Sequence, residues 1–238
     1  GITEEPTTYE ELIAVNEALL EADIVPFQFG GTVNWHLMRL LDNMLETFCG
    51  AEVHDGLTSL ELSWAEEPCV AETFSEFALW SDKYIVDGFI GIDNSEAAQL
   101  QYAGIAAMAL EGDWNLGVLE SNGQDLDNYG IFHFPTGTGR LYGFTEGYYL
   151  SPYSDPEVQD AAAAFLNYLL STDVQTEHLG KFGALSVNTN VVIPEDAHPL
   201  MSEYSEIFAS AEGTFINGDQ AFPLIFTTEY WRIQNLVA

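Results

Sequence analysis

Apolar residues recur at helical spacing over much of the chain, and short apolar runs separate these stretches. Near the start, Thr8 can cap a helix with Glu11 three residues later, which is the arrangement of a capping box. Leu12, Val15 and Leu19 follow at intervals of three and four residues. The opening of the chain therefore predicts an amphipathic helix.

The same reasoning divides the remaining sequence into alternating helices and strands. Helices are predicted at 35–48, 68–84, 95–102, 114–119, 156–170, 174–182, after 199 and at 228–237. Strands are predicted at 24–29, 105–110 and 129–134, with an extended segment at 143–150. This alternation is typical of the α/β class.

The charge balance is strongly acidic, with 38 Asp and Glu residues against 5 Lys and Arg residues and a formal net charge of -33. Such a surface repels nucleic acid, so no nucleic-acid partner is expected. The acidic groups also repel one another, which destabilises the folded chain. Salt weakens this repulsion by shortening the Debye length. Because the acids are scattered, they indicate a solvated surface and a saline habitat, and the expected protein is a halophilic one. The chain also contains no long apolar run or signal peptide, so a soluble protein is expected.

Two cysteines, Cys49 and Cys69, leave two alternatives open. They can form a disulfide if the protein is exported, or they can be buried free thiols.

Familiar catalytic and metal-binding patterns are absent from the sequence. The five histidines show no metal-ligand spacing, and neither a nucleophile elbow nor a phosphate-binding loop occurs. Residues 125–128 are rich in oxygen ligands but lack the spacing of a calcium loop. No cofactor or metal is therefore expected. Because the chain has many acidic residues, a glycosidase with a pair of catalytic carboxylates stays an open alternative.

Five segments, taken in order, resemble the sugar-binding family of ABC-transporter solute-binding proteins, the maltose-binding-protein-like family. The most specific segment is Gly104–Trp114, which is similar to a strand of Gly-x-Ala-Ala-Met type that ends in Gly-x-Trp. The others are 6–12, with the sequence Pro-Thr-Thr-Tyr-Glu-Glu-Leu, and 129–135, 147–151 and 157–170. The order of these segments, more than any one of them, carries the resemblance.

The resemblance implies a two-lobe α/β fold of the type II periplasmic-binding-protein class. By this analogy residues 1–142 belong to the second lobe, 143–197 cross into the first, and 198–238 return to the second. Most of the first lobe is then expected to be missing from the chain, as are the last helical turns of the family.

The functional expectation follows from the same resemblance. It is a monomeric, non-enzymatic receptor that holds a carbohydrate between two lobes and delivers it to a membrane permease. Its expected location is extracytoplasmic, in the periplasm or at the cell surface, where a lipid anchor is one means of attachment. The alternatives are a carbohydrate-active hydrolase and a receptor for another solute, such as a polyol or peptide.

Candidate ligand-binding residues combine flat aromatic rings for sugar faces with polar groups for hydroxyls. By resemblance they are Trp114, Trp231, Trp35, Glu146, Asp113 and Asn34. Each tryptophan could instead serve packing, Asp113 could cap the helix that follows it, and Glu146 could be a solvated loop acid. Trp64 and Trp80 lack such a context and are predicted to pack in the core.

Overall fold

The computed structural model describes residues 2–33, 35–143 and 147–238. The predicted site residues Asn34 and Glu146 lie outside the described residues. The helices within these ranges are α1 (Tyr9–Glu21), α2 (Trp35–Thr58), α3 (Pro68–Lys83), α4 (Asn94–Tyr102), α5 (Asn115–Ser121), α6 (Pro156–Leu169), α7 (Thr172–Phe182), α8 (Pro199–Ser210), α9 (Gly218–Ala221) and α10 (Leu224–Val237). The strands are β1 (Val25–Phe27), β2 (Ala106–Met108), β3 (Arg140–Gly143) and β4 (Gly213–Ile216).

The strands form two short parallel pairs. In the first pair, β1 lies beside β2 with Val25 opposite Ala106 and Phe27 opposite Met108. In the second, β3 lies beside β4 with a register that begins at Arg140 and Gly213. Parallel neighbours require long crossover connections, which here contain the helices, so the α/β prediction is confirmed.

The capping box predicted for α1 is present. The Thr8 side-chain oxygen accepts a hydrogen bond from the Glu11 amide at 3.2 Å, and a Glu11 carboxylate oxygen accepts one from the Thr8 amide at 3.2 Å. Both bonds satisfy amides that a helix start leaves without internal partners.

Helix α2 is longer than predicted and is kinked at Gly50, whose φ of 76° lies in the left-handed region that glycine tolerates. Next to the kink, Cys49 forms a disulfide with Cys69 of α3. The structure thus selects the disulfide from the two alternatives that the sequence left open.

The chain groups into two compact units. Unit 1 comprises residues 1–110, 132–144 and 211–238, and unit 2 comprises 111–131 and 145–210. The assignment of 1–142, 143–197 and 198–238 to lobes stays a prediction.

Unit 1 has an extensive core of large buried side chains. Trp80, Phe77 and Phe29 are completely buried there, in agreement with the packing role predicted for Trp80. Trp64 is partly buried and packs against Phe222 and neighbouring rings, as predicted. Other core side chains come from α1, α2, α3, β1 and α10.

Unit 2 buries fewer apolar residues. Among the residues whose burial the structure describes, its buried apolar side chains are Leu116, Leu119, Leu126, Leu179, Leu200 and Met201. No residue of α6 is buried, and Phe165 and Tyr168 of this helix are 58% and 63% exposed.

Across the described ranges, no helix is both long and apolar enough to cross a membrane.

One predicted strand is wrong. Residues 129–134 pair with no strand in the described chain, and Phe132 and Phe134 pack against the unit 1 core from a loop. The strand in this region is instead β3, which follows the glycine-rich loop at Gly137 and Gly139.

Candidate functional site

Trp35 lies at the first position of α2, at the end of the loop that leaves β1. Its side chain is 46% exposed, so Trp35 is not a core residue. The neighbouring His36 is completely buried, accepts a hydrogen bond from the Gly30 amide at 2.9 Å and stacks on Phe29. His36 therefore fixes the loop that presents Trp35.

Two glycines allow this loop to lie directly against the chain around α4. A Cβ on Gly30 would lie 2.6 Å from the Asn94 amide nitrogen, and one on Gly31 would lie 2.6 Å from the Ile90 Cα. Both neighbours are backbone atoms that cannot move aside cheaply. The Gly31 amide also donates to the Phe89 carbonyl at 2.9 Å, so the position of the loop depends on glycine at both sites.

Trp114 lies in unit 2, on the turn that immediately precedes α5. Its indole Nε1 donates a hydrogen bond to the Glu111 carboxylate at 3.2 Å, and the side chain is partly exposed. The ring lies over Gly112, where a Cβ would come within 2.2 Å of ring carbon Cζ3. Only glycine leaves room for the ring in this orientation.

Asp113 is the one predicted polar site residue that lies within the described residues. One carboxylate oxygen accepts from the Trp114 amide at 3.1 Å, and the other accepts from the Leu185 amide at 2.6 Å. The Tyr204 hydroxyl donates to the Gly112 carbonyl at 3.2 Å, and burial raises the pKa of Tyr204 above its ordinary value. These bonds attach the turn before α5 to Leu185 and to Tyr204, both in unit 2.

Trp231, the third predicted ring, lies on α10 in unit 1. It is partly buried and packs against the edge of the unit 1 core. The structure thus places Trp35 and Trp231 in unit 1, and Trp114 and Asp113 in unit 2. Their role in ligand binding stays a prediction.

Residues 1–176 match the family model described as bacterial extracellular solute-binding protein. The chain belongs to this family.

Solved structures agree with this assignment. A chitin oligosaccharide binding protein superimposes with a TM-score of 0.91 at 27% identity, over 100% of this chain and 61% of that protein. The bacterial solute receptor AcbH, which has an exclusive preference for β-D-galactopyranose, gives 0.85 at 18% identity over 98% of this chain and 60% of its own. Maltose-bound MalE3 of T. maritima gives 0.70 at 18% identity over 100% and 61%. These structures support the predicted type II fold.

A curated relative of known sequence is an uncharacterized ABC transporter extracellular-binding protein of Pyrococcus horikoshii. It is 29% identical over 131 residues, which are 55% of this chain and 29% of the relative. The chain therefore spans about three fifths of the structural relatives and less of this one. The family is extracellular, and these matched proteins are binding proteins.

Two buried polar networks in unit 1 of this solute-binding protein escaped sequence analysis. In the first, Asp42 of α2 accepts from the Tyr230 hydroxyl at 2.6 Å and from the Gly218 amide at 3.0 Å. Burial raises the pKa of Asp42 to about 7 despite these bonds, which favour the ionised form. The network joins α2 to α9 and α10.

The second network surrounds Arg140, one of only five basic residues. Its guanidinium forms a bidentate pair with the buried Glu46 at 2.8 and 2.6 Å and also binds Asp55 at 2.8 Å. The guanidinium lowers the pKa of Asp55, whereas burial lowers the pKa of the adjacent His54. Glu46 and Asp55 lie on opposite sides of the Gly50 kink, so Arg140 ties the two halves of α2 together.

A cavity of about 270 Å³ lies within unit 2. Leu116 and Met201 contribute apolar walls, and Glu120, Asp196 and His198 contribute polar ones. Neither Asp113 nor Trp114 lines it. Within the described ranges, no group of three or more His, Cys, Asp or Glu residues is arranged to hold a metal ion.

Proposed function

We propose that this protein is the receptor component of an ABC importer that binds a carbohydrate reversibly and delivers it to a membrane permease. The observation that carries the proposal is the match of the whole chain to a chitin oligosaccharide binding protein, with a TM-score of 0.91 and 27% identity. Chito-oligosaccharides are therefore the first ligands to test.

The local chemistry supports a carbohydrate ligand. Sugar rings have apolar C–H faces that pack on flat aromatic surfaces. Trp35 is 46% exposed on a loop fixed by His36, and Trp114 is partly exposed on a turn fixed by Asp113. Fixed rings lose little conformational freedom when they bind a ligand, which favours affinity.

The location and partners proposed here rest on the family. An extracytoplasmic protein meets an oxidising environment, in which the Cys49–Cys69 disulfide is stable. We propose a monomer that contacts its permease and not nucleic acid, since the net charge of -33 repels polyanions. Attachment through a lipid anchor belongs to the same proposal.

The test is a titration with chito-oligosaccharides, galactose, xylo-oligosaccharides and maltose, monitored by tryptophan fluorescence and calorimetry. Reversible saturation by at least one sugar, with that sugar recovered intact by chromatography, is the expected result. New reducing ends would instead identify a hydrolase. Binding of polyols or peptides without any response to sugars would identify a receptor for another solute and would overturn the carbohydrate assignment.

A further inference from the structure

We propose that Asp113 is a positioning residue, which holds the Trp114 ring in the orientation that receives the ligand, and does not itself bind the ligand. The proposal rests on the proposed function in one respect, because Trp114 is taken as a ring that meets a sugar. It changes the role of Asp113 from a hydroxyl-binding carboxylate to a support for the aromatic surface.

The Asp113 carboxylate joins two separate stretches of backbone. Each oxygen of Asp113 accepts a backbone amide, from Trp114 at 3.1 Å and from Leu185 at 2.6 Å. Leu185 is 72 positions away in the sequence. Hydrogen bonds from amides to an ionised carboxylate are stronger than those between neutral groups, so Asp113 fastens the turn before α5 to the segment after α7.

The packing of α7 against α5 places that segment close to Asp113. Gly183 ends α7 with a φ of 69°, and a Cβ there would lie 2.8 Å from the Leu116 Cβ and 2.9 Å from the Gly117 amide nitrogen. The absence of a side chain at Gly183 thus lets the two helices approach. The Leu185 amide, two residues later, then reaches the carboxylate.

The Trp114 residue itself is held from several directions. Glu111 accepts from its Nε1 at 3.2 Å, and Gly112 lies under the ring. The Tyr204 hydroxyl binds the Gly112 carbonyl at 3.2 Å. With Asp113 fixing the Trp114 amide, both the backbone and the indole of this residue are restrained before any ligand arrives.

The experiment labels the full chain with 5-fluorotryptophan and records fluorine NMR spectra without ligand. The chain has five tryptophans, so the spectrum contains five resonances, and Trp114→Phe assigns the one of interest. The variants are Asp113→Ala, Asp113→Asn and Gly112→Ala. Asp160→Asn, which removes the charge of an exposed acid on α6, is the control.

Asp113→Ala and Gly112→Ala are expected to shift or broaden the Trp114 resonance and to leave the other four in place. Asp113→Asn keeps one acceptor and should give a smaller shift, whereas Asp160→Asn should give none. Affinity for a sugar that binds the unmodified protein should fall about three- to tenfold in Asp113→Ala, because the freed ring must be ordered on binding. The order of preference among sugars should not change.

Two results would overturn the proposal. An unmoved Trp114 resonance in Asp113→Ala, together with weaker binding, would make Asp113 a direct ligand. Movement of all five resonances would give it a general structural role. If no sugar binds the unmodified protein, the proposed function fails, yet the ligand-free spectra still decide whether Asp113 positions Trp114.

Discussion

The two units of this solute-binding protein bury their apolar residues to different extents. In unit 1, α2 and α3 bury Leu41, Phe77 and Trp80 completely, and the Cys49–Cys69 disulfide links these helices. In unit 2, α6 has an apolar face that includes Phe165, but none of its residues is buried. Burial in the core, and not apolar composition, is what stabilises a unit. We therefore expect unit 1 to resist opening more strongly than unit 2.

A matched pair of substitutions gives the largest expected difference between the units. Phe77→Ala should cost about 3 to 5 kcal/mol of unfolding free energy, because it leaves a cavity in the unit 1 core. Phe165→Ala should change it by no more than about 0.5 kcal/mol, since that side chain is 58% exposed. Urea unfolding of both variants measures the difference. Similar losses in the two variants would show that α6 is buried in solution and would break the comparison.

The disulfide gives the next largest effect. Replacing Cys49 and Cys69 together by Ala should cost about 3 kcal/mol, since the bridge closes a loop with a sequence separation of 20. Hydrogen exchange should accelerate in α2 and α3 and remain unchanged in α5 and α7. An unchanged unfolding midpoint would mean that the bridge does not form or does not stabilise unit 1.

The third effect concerns pH and the buried Asp42 of unit 1. Its pKa is raised to about 7 in the folded chain against an ordinary 3.8, so the folded state holds the proton more tightly than the unfolded state. The stabilisation that the folded state gains from this tighter proton binding is fully present below the ordinary pKa and is lost as the pH rises through 7. Between pH 5 and pH 8 the loss should be about 2 to 3 kcal/mol.

The control for that prediction is Asp42→Asn, which cannot ionise. Tyr230 and Tyr142 remain protonated throughout this range because burial raises the pKa of each. Asp219 and Arg39, the other charged groups near this network, are the same in both proteins. Denaturant unfolding at both pH values should therefore show a smaller loss in the variant. Equal losses would mean that Asp42 titrates in its ordinary range.

Salt should have the smallest effect and should act on both units. The net charge of -33 comes from acids scattered along the whole chain, so screening relieves repulsion everywhere. Raising potassium chloride from 0.1 to 2 M should increase the melting temperature by about 2 to 4 °C, equivalent to about 1 kcal/mol. An unchanged or lower midpoint at high salt would contradict the prediction of a saline habitat.

Local signals made part of the fold predictable. Thr8 and Glu11 are three residues apart, so their capping box can be recognised without knowledge of the rest of the chain. Long-range pairing could not be predicted in this way. Strand β3 depends on β4, more than 70 positions later, whereas 129–134 has an apolar strand-like pattern but no partner strand among the described residues.

The candidate site shows the same limit. Its aromatic residues were suggested by the resemblance to the sugar-binding family, in which Trp114 ends the Gly-x-Trp motif. The contacts that hold these aromatic residues in place could not be predicted, because they are long-range. Asp113 binds an amide 72 positions away, and Tyr204 contacts Gly112 across 92 positions. The Arg140 network likewise joins residues 94 positions apart. A single sequence contains no local signal for such contacts.

The most direct test of the carbohydrate-receptor account is calorimetric titration of the unmodified protein and of Trp114→Ala with a sugar that binds. The account predicts that Trp114→Ala weakens binding by about 1 to 3 kcal/mol, because a large aromatic contact is lost. Its melting temperature should stay close to that of the unmodified protein, since the ring is partly exposed. Unchanged affinity together with a large fall in melting temperature would contradict the account, because Trp114 would then be a packing residue.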